Sequence, residues 1–523
     1  MKLNYKRTIL VGFAFFLICA FWQAYDATIP MILTNKFGMS QAWSGVIMAA
    51  DNVLAVILLP LFGTLSDKCR HRSGRRTPFI VVGTLCAAIL LVFLSFADNA
   101  QLKHIDAVSE VDSVAGLEVI YDTQKDAQLM TPSGVEFVLS EEFSRAEFTA
   151  ITAKVTVDGA EITNGDYTNF VVPARQAYVA DVTAQNPATL IVFVVLLLFV
   201  LLSMAVFRSP AVALMPDVTL KPLRSKANAI INLMGAVGGI LVLGLGMVFA
   251  TAAVENAMMS YMGYFGVVAA LMLASLVIFL LTVREPKWSA EMEKESIEYG
   301  IEEATAEGSA ATRKLTAEEK RSLLFIMLSI VLWFFGYNAV ISKYSVYASN
   351  ILHKDYNLTL IIAQAAAIIA YLPVGFISSK IGRKRAIQGG IVMLTTAFFV
   401  ACFMGANSST LLMNAMFALA GIGWATINVN SFPMVVELAS GGNVGKYTGF
   451  YYTASMAAQI VTPMLSGLLM DTFGMRVLFP YAAVFVALAF LTMWFVRHGD
   501  SAKAEELTVV DKPTAMEDTE ASE

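Results

Sequence analysis

Gly63-Thr64-Leu65-Ser66-Asp67-Lys68-Cys69-Arg70-His71-Arg72-Ser73-Gly74-Arg75-Arg76-Thr77-Pro78-Phe79-Ile80 is a dense basic turn between two long apolar stretches. A weaker echo, Gly375-Phe376-Ile377-Ser378-Ser379-Lys380-Ile381-Gly382-Arg383-Lys384-Arg385, stands at the matching place in the second half. Cations gathered in a short loop between apolar runs mark the cytoplasmic side of a bilayer, and small residues let two helices approach closely. The chain therefore reads as a membrane protein built from two similar halves.

Composition agrees. Hydrophobic residues make up 57% of the 523 residues and charged residues only 15%. Soluble domains carry about 25% charged residues, so the deficit calls for lipid as solvent. The net charge of -5 is segregated along the chain, with no basic domain for nucleic acid. The cysteines (Cys19, Cys69, Cys86, Cys402) form no CxxC pattern, so neither a disulfide nor a metal or other cofactor is expected. Lys2, Lys6 and Arg7 precede an apolar stretch too long for a signal peptide and without a small-residue cleavage site. It is expected to be the first permanent span.

A helix needs about 20 apolar residues to cross a bilayer. Spans are expected near 8–33, 43–65, 78–97, 189–214, 226–251, 261–283, 322–348, 358–379, 386–406, 411–435, 447–470 and 476–497. One side then collects Lys68, Arg70, Arg72, Arg75 and Arg76, then Lys221, Arg224, Lys226, Arg284 and Lys287, then Lys380, Arg383, Lys384 and Arg385. The short loops opposite hold few cations, such as Lys36, Lys354 and Arg476. The positive-inside rule puts both termini in the cytoplasm, as an even span count requires. The expected fold is all-α, with twelve transmembrane helices in two six-helix pseudo-repeats.

Two segments interrupt the spans. Residues 284–320, acidic and alanine-rich, read as a cytoplasmic linker between a first bundle (1–283) and a second (321–497). Residues 98–188 fall on the outer side between spans 3 and 4. Alternation in Gly134-Val135-Glu136-Phe137-Val138-Leu139 and Ala153-Lys154-Val155-Thr156-Val157, with a turn signal at Asn164-Gly165-Asp166, suggests a small β-rich extracytoplasmic insert. A tolerated surface insertion is favoured over a substrate-capture role. The tail, 498–523, is acidic and expected to be disordered.

The layout resembles the major facilitator superfamily. Its first turn is similar to that of the sucrose/proton symporters and their glycoside-cation symporter relatives. The family pattern, Gly-x-x-Ser-Asp-Arg/Lys-Cys followed by an Arg and then Gly-Arg-Arg-x-Pro-Phe-Ile, is matched by Gly63, Ser66, Asp67, Lys68, Cys69, Arg72, Gly74, Arg75, Arg76, Pro78, Phe79 and Ile80. Pro210-Ala211-Val212-Ala213-Leu214-Met215-Pro216-Asp217, followed by Ala227-Asn228, also looks like that branch. Plant-type sucrose symporters carry an arginine where this chain has Val212, and the nearest cation is Arg208, one helical turn earlier. The resemblance implies a cytoplasmic gate of charges that clasp the halves when the outer side is open. Asp67, Arg75, Arg76, Asp217, Gly382, Arg383, Glu437 and Lys446 are its candidates.

Ionisable residues inside a bilayer cost about 2.5–3.5 kcal/mol on insertion scales and so point to function. Asp26, in Gln23-Ala24-Tyr25-Asp26, is the foremost candidate to bind and release a coupling proton, against a structural pairing with a neighbouring cation. Asp51 beside Asn52 could share the proton or a solute. Arg208 is a plausible counter-ion for Asp26, or else snorkels from its span. Lys343, near Asn338 and Tyr344, either faces a cavity or reaches the headgroups, the latter slightly favoured. In span 10, Trp424 and Asn428 share one helical face while Thr426 and Asn430 share another, so one pair alone can point straight into a cavity. An aromatic face and an amide suit a sugar. Gln459 and Gln364 are secondary, with interhelical bonding as the alternative.

The expectation is a secondary active transporter of a sugar or glycoside by alternating access, coupled to protons in preference to sodium, in a cell membrane. It is expected to be a monomer and not an enzyme, since no nucleophile–base pair, phosphate loop or metal cluster is evident. Two alternatives stay open. One is a sodium-coupled or uncoupled carrier of another solute, such as a glucuronide or organic anion held by Arg208 and Lys343. The other is a non-transporting sensor that uses residues 98–188.

Overall fold

The computed structural model describes residues 3–157, 159–220, 223–299, 316–438 and 444–498. Residues 300–315 of the linker and the tail from 499 lie outside them.

Among the described residues twelve long helices make the body. The first six are α1 (Tyr5–Asn35), α2 (Gln41–Lys68), α3 (Thr77–His104), α4 (Ala188–Asp217), α5 (Arg224–Val248) and α6 (Met262–Thr282). The second six are α7 (Ala317–Tyr347), α8 (Tyr356–Ile381), α9 (Arg383–Ala401), α10 (Thr410–Glu437), α11 (Val444–Phe473) and α12 (Leu478–Trp494). Among the described residues ten helices are long and apolar enough to cross a membrane; α8 and α9 fill the remaining two places. The start of α9 on Arg383-Lys384-Arg385 dilutes its apolar length. Local signals set several starts. Ser40 caps α2, Asp355 caps α8, and Thr316 forms a capping box with Glu319 at α7.

The apolar faces bury in two main clusters. One gathers Leu17, Leu94, Phe207, Ile231 and Phe265 from the first six helices. The other gathers Trp333, Ile391, Ile427, Met470 and Phe479 from the second six, and Ala27 and Met31 of α1 reach into it. The tightest seam between the halves is α2 against α11. A Cβ on Gly45 would stand 2.1 Å from the Pro463 carbonyl oxygen, and one on Gly467 would stand 2.2 Å from that of Gln41. The backbones touch there, as small residues allow between membrane helices.

Residues 105–187 form a body between α3 and α4 with its own core of Ile105, Leu117, Phe148 and Tyr167. Strands are fewer than the alternation suggests. β1 (Gln128–Met130) pairs with β2 (Glu136–Val138), and β3 (Lys154–Val157) pairs with β4 (Ala160–Thr163). Helices at Val114–Gln124 and Val172–Gln185 carry most of the packing, so the β-rich expectation is corrected to a mainly helical insert with two small hairpins. The run Gly134–Leu139 stops being a strand because Leu139 begins a helical turn. The turn at Asn164-Gly165-Asp166 leads into a helical segment, not a partner strand.

A buried ion pair ties the insert-bearing ends of α1 and α3 together. Lys36 Nζ lies 2.5 Å from Asp98 Oδ1, both side chains fully enclosed, and donates to the Met259 carbonyl at 2.6 Å beneath the Tyr261 ring. Breaking such a pair from one side strands a buried charge and costs about 3–5 kcal/mol. Lys36→Met should therefore lower the thermal unfolding temperature of the detergent-solubilised protein sharply. Lys36→Met with Asp98→Leu should recover much of the loss, and an equally unstable double variant would refute this account.

Candidate functional site

The central cluster is built from both halves. On α1, Trp22, Tyr25 and Asp26 follow one another around the helix, with Trp22 and Tyr25 edge-to-face at 5.4 Å. Asp26 lies within electrostatic reach of Asp51 on α2 and Arg208 on α4. Asn52 Nδ2 donates to Asp51 Oδ1 at 2.6 Å, which fixes that carboxylate. Arg208 turns its guanidinium over the Trp22 ring, 5.3 Å from the centroid, within the range of a cation–π contact. Its contact with Trp22 keeps it within electrostatic reach of both acids.

The second half answers with aromatics and amides. Tyr337 on α7 stacks flat on Trp424 of α10, with centroids 3.6 Å apart and planes 2° from parallel. Asp26 acts electrostatically on Tyr337, which carries the cluster across the interface between the halves. Asn428 shares a hydrogen bond with the Tyr371 hydroxyl on α8. Of the two faces of α10, Trp424 and Asn428 therefore face these partners. Thr426 and Asn430 are buried and bond to carbonyls of their own helix. Several polar atoms have no hydrogen-bond partner among the described residues: Trp22 Nε1, Tyr25 Oη, Asn338 Nδ2 and Gln364 Oε1. Buried donors and acceptors left open in this way suit a hydroxyl-bearing guest.

Some expected site residues lie elsewhere. Lys343 is fully buried and donates to the Gln41 carbonyl at 2.5 Å, at the insert-bearing end of the helices. It neither faces the central cluster nor reaches headgroups, because a carbonyl of the other half satisfies it. Asp471 on α11 completes this contact, its carboxylate accepting from Gln41 N at 2.8 Å and Ala42 N at 2.7 Å. A carboxylate at a helix N-terminus is the favourable arrangement. Gln459 bonds to Ser455 of its own helix at 3.3 Å. Gln23 is half-buried beside the cluster on α1.

At the opposite end Asp67, Arg75, Arg76 and Asp217 of the first half pair with one another. Arg75 and Arg76 both grip Asp217, at 2.6 Å and 2.7 Å, and Arg76 also meets Asp67 at 2.5 Å. Arg383 donates to the Pro433 carbonyl at 3.4 Å after Gly382, whose φ of +91° bends the chain between α8 and α9. On the insert-bearing side the halves meet through Gln41, Lys343 and Asp471. The side chains of Glu437 and Lys446 lie outside the described residues. Glu285 was hidden in the acidic linker, yet it is buried and caps α3 through Arg76 N and Thr77 N, both at 2.8 Å. The central tyrosines Tyr25, Tyr337 and Tyr371 were also missed, because an aromatic in an apolar span reads as lipid-facing; only their neighbours Asp26 and Asn338 hinted at them.

The molecule is a multi-pass membrane protein with the fold of a two-bundle transporter. The model of the Major Facilitator Superfamily matches residues 353–516, and that of the MFS/sugar transport protein family matches residues 10–105. The sucrose transport protein SUC3 of Arabidopsis thaliana is 35% identical over 68 residues, 13% of this chain and 11% of that protein. The putative glycoside/cation symporter YagG of Escherichia coli is 33% identical over 92 residues, 17% of this chain and 20% of that protein. The chain thus matches only a small part of the length of these curated relatives. The inward-open xylose transporter XylE from E. coli superposes with a TM-score of 0.57 at 15% identity, covering 97% of this chain and all of that one. Such a likeness shares the fold alone. Taken together, the chain is similar to major facilitator superfamily transporters in its fold and in the two stretches 10–105 and 353–516.

Proposed function

We propose that the protein is a proton-coupled symporter of a sugar or glycoside, with both termini in the cytoplasm and the insert outside. The observation that carries the reading is the cluster at the interface, where Asp26 and Asp51 lie within electrostatic reach of one cation, Arg208, opposite the Tyr337–Trp424 stack. With both acids ionised the trio holds one net negative charge; one added proton neutralises it. A neutral set costs less to enclose between the halves, so proton binding and closure favour one another. The flat aromatic pair offers a face for sugar C–H surfaces, and Asn428, Asn338 and Tyr371 offer hydroxyl partners. Rocking of the halves around this cluster would move the solute.

The test is uptake of labelled sucrose and a labelled β-glucoside into proteoliposomes, with a proton gradient or a sodium gradient imposed in turn. Accumulation that follows the proton gradient supports the reading. Accumulation that follows sodium, or none for either sugar, overturns it. Trp424→Ala should raise the apparent KM for the transported sugar by about three- to tenfold, as loss of an aromatic contact worth about 0.5–1.5 kcal/mol predicts. The maximal rate should change less than KM, and a pure loss of rate would argue against a binding role.

A further inference from the structure

The insert has contacts with the second half that a tolerated surface loop would not need. Its β1–β2 turn rests on the turn between α11 and α12. Met475 N donates to the Pro132 carbonyl at 2.7 Å, and Gly134 meets Gly474 so closely that a Cβ on Gly474 would stand 2.5 Å from Gly134 N. Both glycines have positive φ, +92° and +85°, which permits this approach. A second contact joins Thr168 Oγ1 to His353 Nε2 at 2.9 Å, where His353 closes the short helical segment after α7 in a left-handed turn with φ of 51°.

The same body is fastened to the first half. It grows from α3 and α4, its Gln176 donates to Asn35 at 3.0 Å, and a Cβ on Gly38 would meet Ala180 N at 2.4 Å. Between these attachments lies a cavity of about 140 Å³, lined in part by Ser40, Gln41, Thr131, Gln176, Asn350 and Asp471. Its floor includes the Gln41–Asp471 contact that closes the halves, with Lys343 on the Gln41 carbonyl.

We infer that the insert is a clamp on the outer gate, fixed to the first half and gripping the second through Thr168–His353 and the Pro132–Met475 contact. The inference rests on the rocking motion proposed above. When the outer side opens, both grips must part along with the Gln41–Asp471 contact. Each is a single hydrogen bond, worth about fivefold in an equilibrium, so the clamp biases the gate and does not lock it. The 140 Å³ cavity is the space that the opening movement would widen.

The test uses the full chain in right-side-out vesicles, with Cys19, Cys69, Cys86 and Cys402 replaced by alanine and a reporter at Ser44→Cys. Ser44 is fully buried near the outer end of α2, so a membrane-impermeant maleimide reaches it only when the outer gate opens. Thr168→Val, and separately His353→Asn, should speed labelling about fivefold, with Gly474→Ala faster still. His353→Asn keeps a residue suited to the left-handed turn. Hydrogen exchange over Gln41–Met48 in the same variants should rise in parallel. Unchanged labelling and exchange in all three variants would overturn the clamp. A Lys343→Met arm separates the two readings: if it alone speeds labelling, the gate opens without regard to the insert; if it too has no effect, the rocking proposal falls with the clamp.

Discussion

Asp26→Asn should abolish proton-driven accumulation while leaving solute exchange in place. One pH unit across the membrane is worth about 1.4 kcal/mol, or about tenfold accumulation for one proton per solute. A gradient of two units should therefore concentrate the sugar about a hundredfold in vesicles carrying the wild-type protein and not at all in those carrying Asp26→Asn. Exchange of internal unlabelled for external labelled sugar needs no net proton movement and should persist. The reason lies in the charge count around Arg208. An asparagine at position 26 leaves Asp51 alone opposite the guanidinium, permanently in the neutral arrangement that a bound proton otherwise creates. Asp51→Asn would leave Asp26 facing Arg208 and should weaken coupling less, because Asp51 is already engaged by Asn52. Exchange lost together with accumulation would mean that Asp26 holds the solute or the fold. Accumulation retained in Asp26→Asn would remove it from the proton pathway.

The sequence carried the fold well and the site only in part. Apolar runs of about 20 residues and the distribution of arginines and lysines are one-dimensional signals, so each expected span falls on a helix, 43–65 on Gln41–Lys68 and 411–435 on Thr410–Glu437 among them. Asp26 was equally visible, because a carboxyl within an apolar span has no bland explanation in lipid. Lys343 was not. Its partner is the Gln41 carbonyl, about 300 positions away on the other half, and nothing in either local stretch announces that meeting. The Tyr337–Trp424 stack was half legible: the spacing of Trp424 and Asn428 gave the face of α10, but not which helix would cover it. In the insert, alternation found the strands and overvalued them. Short runs such as Lys154–Val157 pair with only one neighbour, and the core is supplied by helical residues such as Leu117 and Phe148.

The contact between α2 and α11 yields the other large effect. Gly467→Ala should prevent the insert-bearing side from closing. The added carbon would stand 2.2 Å from the Gln41 oxygen and 2.5 Å from its carbonyl carbon. Both are backbone atoms, so no side chain can rotate away and the helices must separate. Overpacking of this kind costs about 1–3 kcal/mol, which shifts a closed-to-open equilibrium by about five- to 150-fold. The strain is felt only where the helices meet, so the open arrangement escapes it and the variant should fold. The same separation draws Gln41 from Lys343 and Asp471, removing three hydrogen bonds that exist only in the closed state. Uptake should fall by a similar factor, and a cysteine at Ser44 should react readily with impermeant maleimide. Gly375→Ala, a site where nothing stands within 4 Å of an added carbon, should change neither. A Gly467→Ala protein that transports normally with Ser44→Cys still protected would mean that the two backbones need not touch to seal this side.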